Sequence, residues 1–93
     1  MKKLLYHPAY ITMINELKTR RKELGLNQEE LGLLIKRDQK FISRIEAFTK
    51  EIDIDELLII CAALQMSFLK VLARFSYNYN IKEIQDKKSP KDL

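Results

Sequence analysis

The chain has 93 residues, 46% of them hydrophobic, with only two glycines and two prolines. That suits one modest core and supplies too few turn-formers for a many-stranded sheet, so an all-α fold is expected. The single cysteine, Cys61, excludes an internal disulfide, no grouping of Cys, His and acidic residues has metal-ligand spacing, and the longest apolar run, Leu57 to Leu64, is far short of the roughly 20 residues that span a bilayer.

The formal charge of +4 is unevenly placed: residues 1–50 carry 11 Lys/Arg against 6 Asp/Glu, and residues 51–93 carry 6 against 7. A basic half beside a neutral one suggests a side that faces a polyanion, nucleic acid being the commonest. Lys2 and Lys3 resemble the start of a secretory signal, but only Leu4 and Leu5 follow before Tyr6, His7 and Pro8, too few for an apolar signal core. A reducing cytoplasm is therefore the expected location.

In chain order, Pro8 suits the first turn of a helix, where its missing N–H is no loss. Tyr10, Ile14 and Leu17 continue that helix at helical spacing, to about residue 24. Asn27 followed by Glu30 reads as a capping box opening helix two, residues 28–35, with Leu31, Leu34 and Ile35 as its apolar stripe. Asp38 caps helix three, residues 39–47, which turns Phe41, Ile42 and Ile45 inward. Asp53 with Glu56 forms a second capping box for helix four, residues 54–64, apolar on nearly every side and so expected to be the central buried rod. Ser67 opens a fifth helix, residues 68–76, whose stripe of Phe68, Val71, Leu72 and Phe75 would finish the core or meet a second subunit. Beyond it the chain becomes polar and lysine-rich.

Only Lys36, Arg37 and Asp38 separate helices two and three, and so short a connection makes two short helices meet steeply, as in a helix-turn-helix unit. The outward face of helix three then carries Lys40, Ser43, Arg44 and Ala47, with Gln39 in its first turn. Gln39 can pair with an adenine edge, Arg44 or Lys40 can donate to guanine, and Ser43 is short enough for close approach. Lys36, Arg37 and Lys50 flank this helix as phosphate-contacting residues.

The residues Arg21, Gly25 to Leu31, Gln39 to Glu46 and Leu57 to Leu64, within the stretch Leu17 to Leu72, resemble the lambda-repressor-like (XRE or Cro type) helix-turn-helix family. The resemblance implies a compact five-helix DNA-binding domain. It also implies a phosphate contact from Gln28, base reading by Gln39, Lys40, Ser43 and Arg44, and a structural ion pair between Arg21 and Glu46. It divides the chain into a lead-in with the start of helix one (1–12), the helix-turn-helix domain (13–76) and a polar C-terminal tail (77–93). The sequence departs from the family at Lys36 and Phe48, where glycine with positive φ is usual; a Cβ there costs on the order of 1–2 kcal/mol.

No catalytic constellation accompanies these features. His7, the one histidine, has no nucleophile or acid arranged around it and is expected at the surface; Cys61 is expected as a buried thiol. Asp53, Asp55 and Glu56 form an acidic first turn that complements the helix dipole without a metal. The expected function is sequence-specific binding of double-stranded DNA by a homodimeric transcriptional repressor, with no cofactor and no enzymatic activity. The alternative is an antitoxin or other protein-interaction module with a toxin or similar partner.

Overall fold

In the computed structural model, which describes residues 3–85, a short 3-10 turn (Leu4–Tyr6) leads into five α-helices: α1 (Pro8–Glu23), α2 (Gln28–Leu34), α3 (Gln39–Glu46), α4 (Ile54–Ala63) and α5 (Phe68–Gln85). Four starts carry the caps expected of them. Asn27 and Asp53 accept from the backbone N–H groups of Glu30 and Glu56, whose carboxylates accept in return. Asp38 accepts from the Phe41 N–H at 3.0 Å, and Ser67 Oγ from the Lys70 N–H at 3.2 Å. The cap of α1 is His7, whose Nδ1 accepts from the Ala9 N–H at 3.0 Å, with Pro8 following as the first helical residue.

Tyr10, Met13, Ile14 and Leu17 place one whole face of α1 in the core, against Leu31, Ile42, Ile45, Leu57, Ile60, Leu64 and Val71 from the other four helices and their ends. The most extensive packing pairs are α1 with α5 and α2 with α3. Tyr10 is fully buried and its hydroxyl accepts from the Ile52 N–H at 2.9 Å, tying the α3–α4 loop to α1. Burial raises the Tyr10 phenol above its ordinary pKa, and does the same to the Cys61 thiol, which is wholly inaccessible.

Three expectations need correction. Helix four is not a rod buried all round: Leu57, Ile60 and Cys61 are inside, but Ile54 and Leu58 are 63% and 49% exposed. Five short helices offer it too few neighbours to cover every side, and α1 takes the central place. Helix five does not stop near residue 76 but runs to Gln85, through much of the stretch expected to be a polar tail. Its stripe of Phe68, Val71, Leu72 and Phe75 is used by the chain's own core, the first of the two roles expected of it.

His7, expected at the surface, holds this extension. Its side chain is only 12% exposed, its ring stacks on Tyr79 with centroids 4.1 Å apart, and Nε2 lies 3.7 Å from the Glu83 carboxylate. Phase and length both allow this, since Phe75, Tyr79 and Glu83 recur every four residues on one side of α5. The expectation that Asp86 to Leu93 forms a frayed tail falls outside the described residues. Among the described residues no helix is long and apolar enough to cross a membrane.

Candidate nucleic-acid interface

The angle between α2 and α3 is set by how α2 ends. The Lys36 N–H donates to Leu33 O at 3.2 Å and the Arg37 N–H to Gly32 O at 2.8 Å, a Schellman closure that puts Lys36 at φ 59°. This closure folds the turn back onto Gly32, where an added Cβ would lie 2.8 Å from Arg37 O and 3.0 Å from Asp38 O. Glycine is there because the backbone of the turn occupies the space of a side chain. Asp38 then starts α3, which anchors Ile42 and Ile45, 2% and 3% exposed, and leaves Gln39, Lys40 and Arg44 in solvent with Ser43 half-buried.

The far end of α3 is fixed by Arg21 and Glu46, each side chain 7% exposed. Arg21 Nε and Nη2 donate to the two oxygens of Glu46 at 2.7 and 2.9 Å, and Nη1 donates to Leu26 O at 2.7 Å. Gln28 Nε2 adds a third donor to the same carboxylate, at 3.0 Å. One acid thereby joins α1, the start of α2 and the end of α3, and a two-pronged Arg–carboxylate pair holds orientation as well as distance. Half-buried Gln28, the residue expected to touch phosphate, is positioned by this network, and its amide oxygen makes no hydrogen bond among the described residues.

Beside α3 lies an open cleft of about 650 Å³ lined by Leu33, Lys36, Arg37, Asp38, Phe41, Arg44 and Lys50. It brings Lys36, Arg37 and Lys50, all expected to contact phosphate, together with Arg44, which the sequence grouped with the base readers; Gln39, Lys40 and Ser43 are not part of its lining. Phe41 also departs from expectation. It packs partly against the core, yet it forms a wall of the cleft, with Arg37 Cζ 5.3 Å and Lys50 Nζ 5.4 Å from its ring centroid. At 100° per residue, Phe41 falls on the border between the buried and exposed faces of α3, so an inward assignment captured only half of its surroundings.

The cations divide by partner. Arg20, Arg21 and Arg74 are engaged by the protein itself, with Leu64 O, Glu46 and Glu16. Lys50 is bound to Glu56 at 2.9 Å and to Glu51 O at 3.2 Å. Among the described residues Lys36, Arg37, Lys40 and Arg44 have no carboxylate partner; Lys3, Lys18, Lys22 and Lys70 have none either but are not on or beside α3 in the chain, and the one acid between residues 36 and 44, Asp38, is occupied in capping α3. Gly32, Phe41 and Glu56 were missed as parts of this site. For Gly32 a signal existed, a glycine inside a helix close to its end, which often marks a close backbone approach.

The helix-turn-helix family model matches residues 17–71. Among solved structures, a point mutant of the restriction-modification controller protein C.Esp1396I is similar at 29% identity and a TM-score of 0.62, over 96% of this chain and 100% of that one. The clp gene regulator ClgR from Corynebacterium glutamicum is similar at 23% identity and a TM-score of 0.63, over 92% and 87% of the two chains. The restriction-modification controller protein C.AhdI from Aeromonas hydrophila follows at 20% identity and a TM-score of 0.63, over 71% and 96%. No curated protein matches the sequence. With more than half of its length inside the family model and the outer side of α3 exposed in the matching fold, the chain belongs to the lambda-repressor-like (XRE/Cro type) helix-turn-helix family of non-enzymatic, DNA-binding transcription regulators.

Proposed function

We propose that the protein is a transcriptional repressor that binds double-stranded DNA sequence-specifically as a homodimer on a two-fold-related operator. The observation that carries this reading is the run of Lys36, Arg37, Lys40 and Arg44, cations without a carboxylate partner among the described residues, on and beside a helix whose apolar side is anchored. A surface of that charge is complementary to phosphate, and an exposed helix of this diameter fits a major groove.

In this reading Gln39, Lys40, Ser43 and Arg44 read bases, while Gln28, Lys36, Arg37 and Lys50 hold the phosphates. Arg44, facing the cleft, works at the boundary between the two groups. Similarity to C.Esp1396I and C.AhdI, restriction-modification controllers, and to ClgR, a clp gene regulator, supports a regulatory role of the same kind. A cytoplasmic location accords with a DNA partner. Dimerisation would use the apolar residues that α5 leaves uncovered, Leu69, Tyr77 and Ile84, 75%, 66% and 53% exposed, in place of the stripe committed to the core.

Selection of random duplex DNA by the purified protein tests the reading. The expected result is an enriched inverted repeat with half-site centres about one helical turn apart, bound with a log–log salt slope near −5 for about six phosphates. Enrichment of no sequence removes specific reading. The same exposed residues on α5 favour a second reading, a protein-binding module such as an antitoxin; retention of a partner with little salt dependence, and no duplex affinity, would replace the first with the second.

A further inference from the structure

We infer that Phe41 is a positioning residue for the phosphate clamp, its ring holding Arg37 and Lys50 at the rim of the cleft beside α3. The inference rests on the DNA-binding reading and extends it to a residue that makes neither a base nor a phosphate contact through a polar group.

The two cations come from opposite sides of α3 in the chain, Arg37 from the turn before it and Lys50 from the loop after it, and Phe41 is the α3 side chain that meets both. Distances of 5.3 and 5.4 Å from charge to ring centroid lie inside the roughly 6 Å range over which a ring face attracts a cation. The Arg37 side chain has no hydrogen bond or ion pair among the described residues, so the ring is what restrains its guanidinium. A planar guanidinium on a ring keeps its edge N–H groups free to donate sideways, which is the geometry a phosphate needs.

Lys50 is held from two sides, by the ring and by Glu56, whose Oε1 accepts from both Lys50 and the Asp53 N–H. The start of α4 is thereby connected to the cleft. Phe41 itself stands where its position can be kept, partly packed on the core at one edge and lining the cleft at the other. Without the ring, Arg37 would have to be ordered by DNA alone, at the entropic cost of freezing a flexible cation, and Lys50 would keep only its bonds to Glu56 and Glu51 O.

The test combines duplex binding with the free protein's own spectrum. Phe41→Leu keeps an apolar side chain but removes the ring; Phe41→Tyr keeps the ring. On a short mixed-sequence duplex, read by fluorescence anisotropy across about 50 to 200 mM salt, Phe41→Leu is expected to bind roughly three- to tenfold more weakly. Its log–log salt slope should be shallower by about one, the share of a single lost phosphate contact. Phe41→Tyr should restore both. Arg37→Gln, on the exposed turn, should weaken the wild type yet add little in the Phe41→Leu background.

Wild-type affinity and slope in a folded Phe41→Leu protein overturn the inference while leaving DNA binding in place. Full additivity of the Arg37→Gln and Phe41→Leu effects does the same. In the free protein, the Arg37 δ and Lys50 ε methylene protons should lie upfield through the ring current and return to ordinary positions in Phe41→Leu; unshifted methylenes overturn the bracing without reference to DNA. A wild type that binds no duplex overturns the DNA reading itself, a distinguishable outcome.

Discussion

Glu46 shows how much of this site depends on single side chains inside the protein. Its two oxygens take three donors from Arg21 and Gln28, and a charge so nearly inaccessible is tolerable only while these donors are in place. Arg21→Ala or Glu46→Ala is accordingly expected to lower unfolding free energy by about 3–5 kcal/mol, since each strands the other charge. Gln28→Ala, which leaves the pair intact, should cost about 1 kcal/mol. Urea denaturation of the three variants is the measurement, and a loss under about 1 kcal/mol for both charge variants would mean the pair is solvated in solution. Arg21 and Glu46 were legible in the sequence through family resemblance alone, because nothing in the spacing of residues 25 apart says that they meet. Gln28 was expected to touch phosphate and was not legible as a partner of Glu46, and His7 was not legible as a cap, since imidazole is an uncommon acceptor at a helix start.

At the scale of the helix, caps written in neighbouring residues were readable and helix endings were not equally so. α1 to α4 all close with the same pair of backbone bonds, as when Gly25 and Leu26 donate to Lys22 O and Arg21 O. The residue at the left-handed position is glycine only once; Lys36, Phe48 and Gln65 take φ of 59°, 61° and 56°. The sequence marked the first two as departures from the family, whereas Gln65 was passed over. Its strain is the simplest to relieve, because the side chain is exposed and outside the cleft. Gln65→Gly should raise stability by roughly 1 kcal/mol, the steric cost removed less some unfolded-state entropy. At about 4–8 °C per kcal/mol, a melting curve would resolve it, and an unchanged or lower midpoint would show that the turn is not strained. Gly32→Ala should act in the opposite direction, losing roughly 1–3 kcal/mol as Arg37 O is pushed away, and should weaken DNA binding through the altered setting of α3.

Whole-molecule features were the least legible, because they depend on surfaces that meet only after folding. The polar composition after Asn78 suggested a tail, yet the His7 ring stacks on Tyr79, and Phe75 packs against the same ring with centroids 5.9 Å apart. An otherwise marginal helical segment is held by the opposite end of the chain, a contact that propensity cannot report. The extension changes what a second copy could grip. With Val71 fully buried and Phe68, Leu72 and Phe75 packed on the core, the large apolar residues left outside on α5 are Leu69, Tyr77, Ile81 and Ile84. Positions 69, 77 and 84 fall within one side of an α-helix at 100° per residue, so a single partner surface could cover them together. If the proposed homodimer forms there, Tyr77→Glu places a charge in an apolar contact and should shift sedimentation from dimer to monomer, with little change in melting of the monomer because the side chain is 66% exposed. The same variant should lose affinity for a two-half-site operator far more than for one half-site, since the second reading helix no longer arrives with the first. Retention of the dimer by Tyr77→Glu and Leu69→Glu would move the contact off this face. A wild type that sediments as a monomer both free and on DNA would leave the molecule reading a single half-site, with the four cations of residues 36–44 supplying most of its hold.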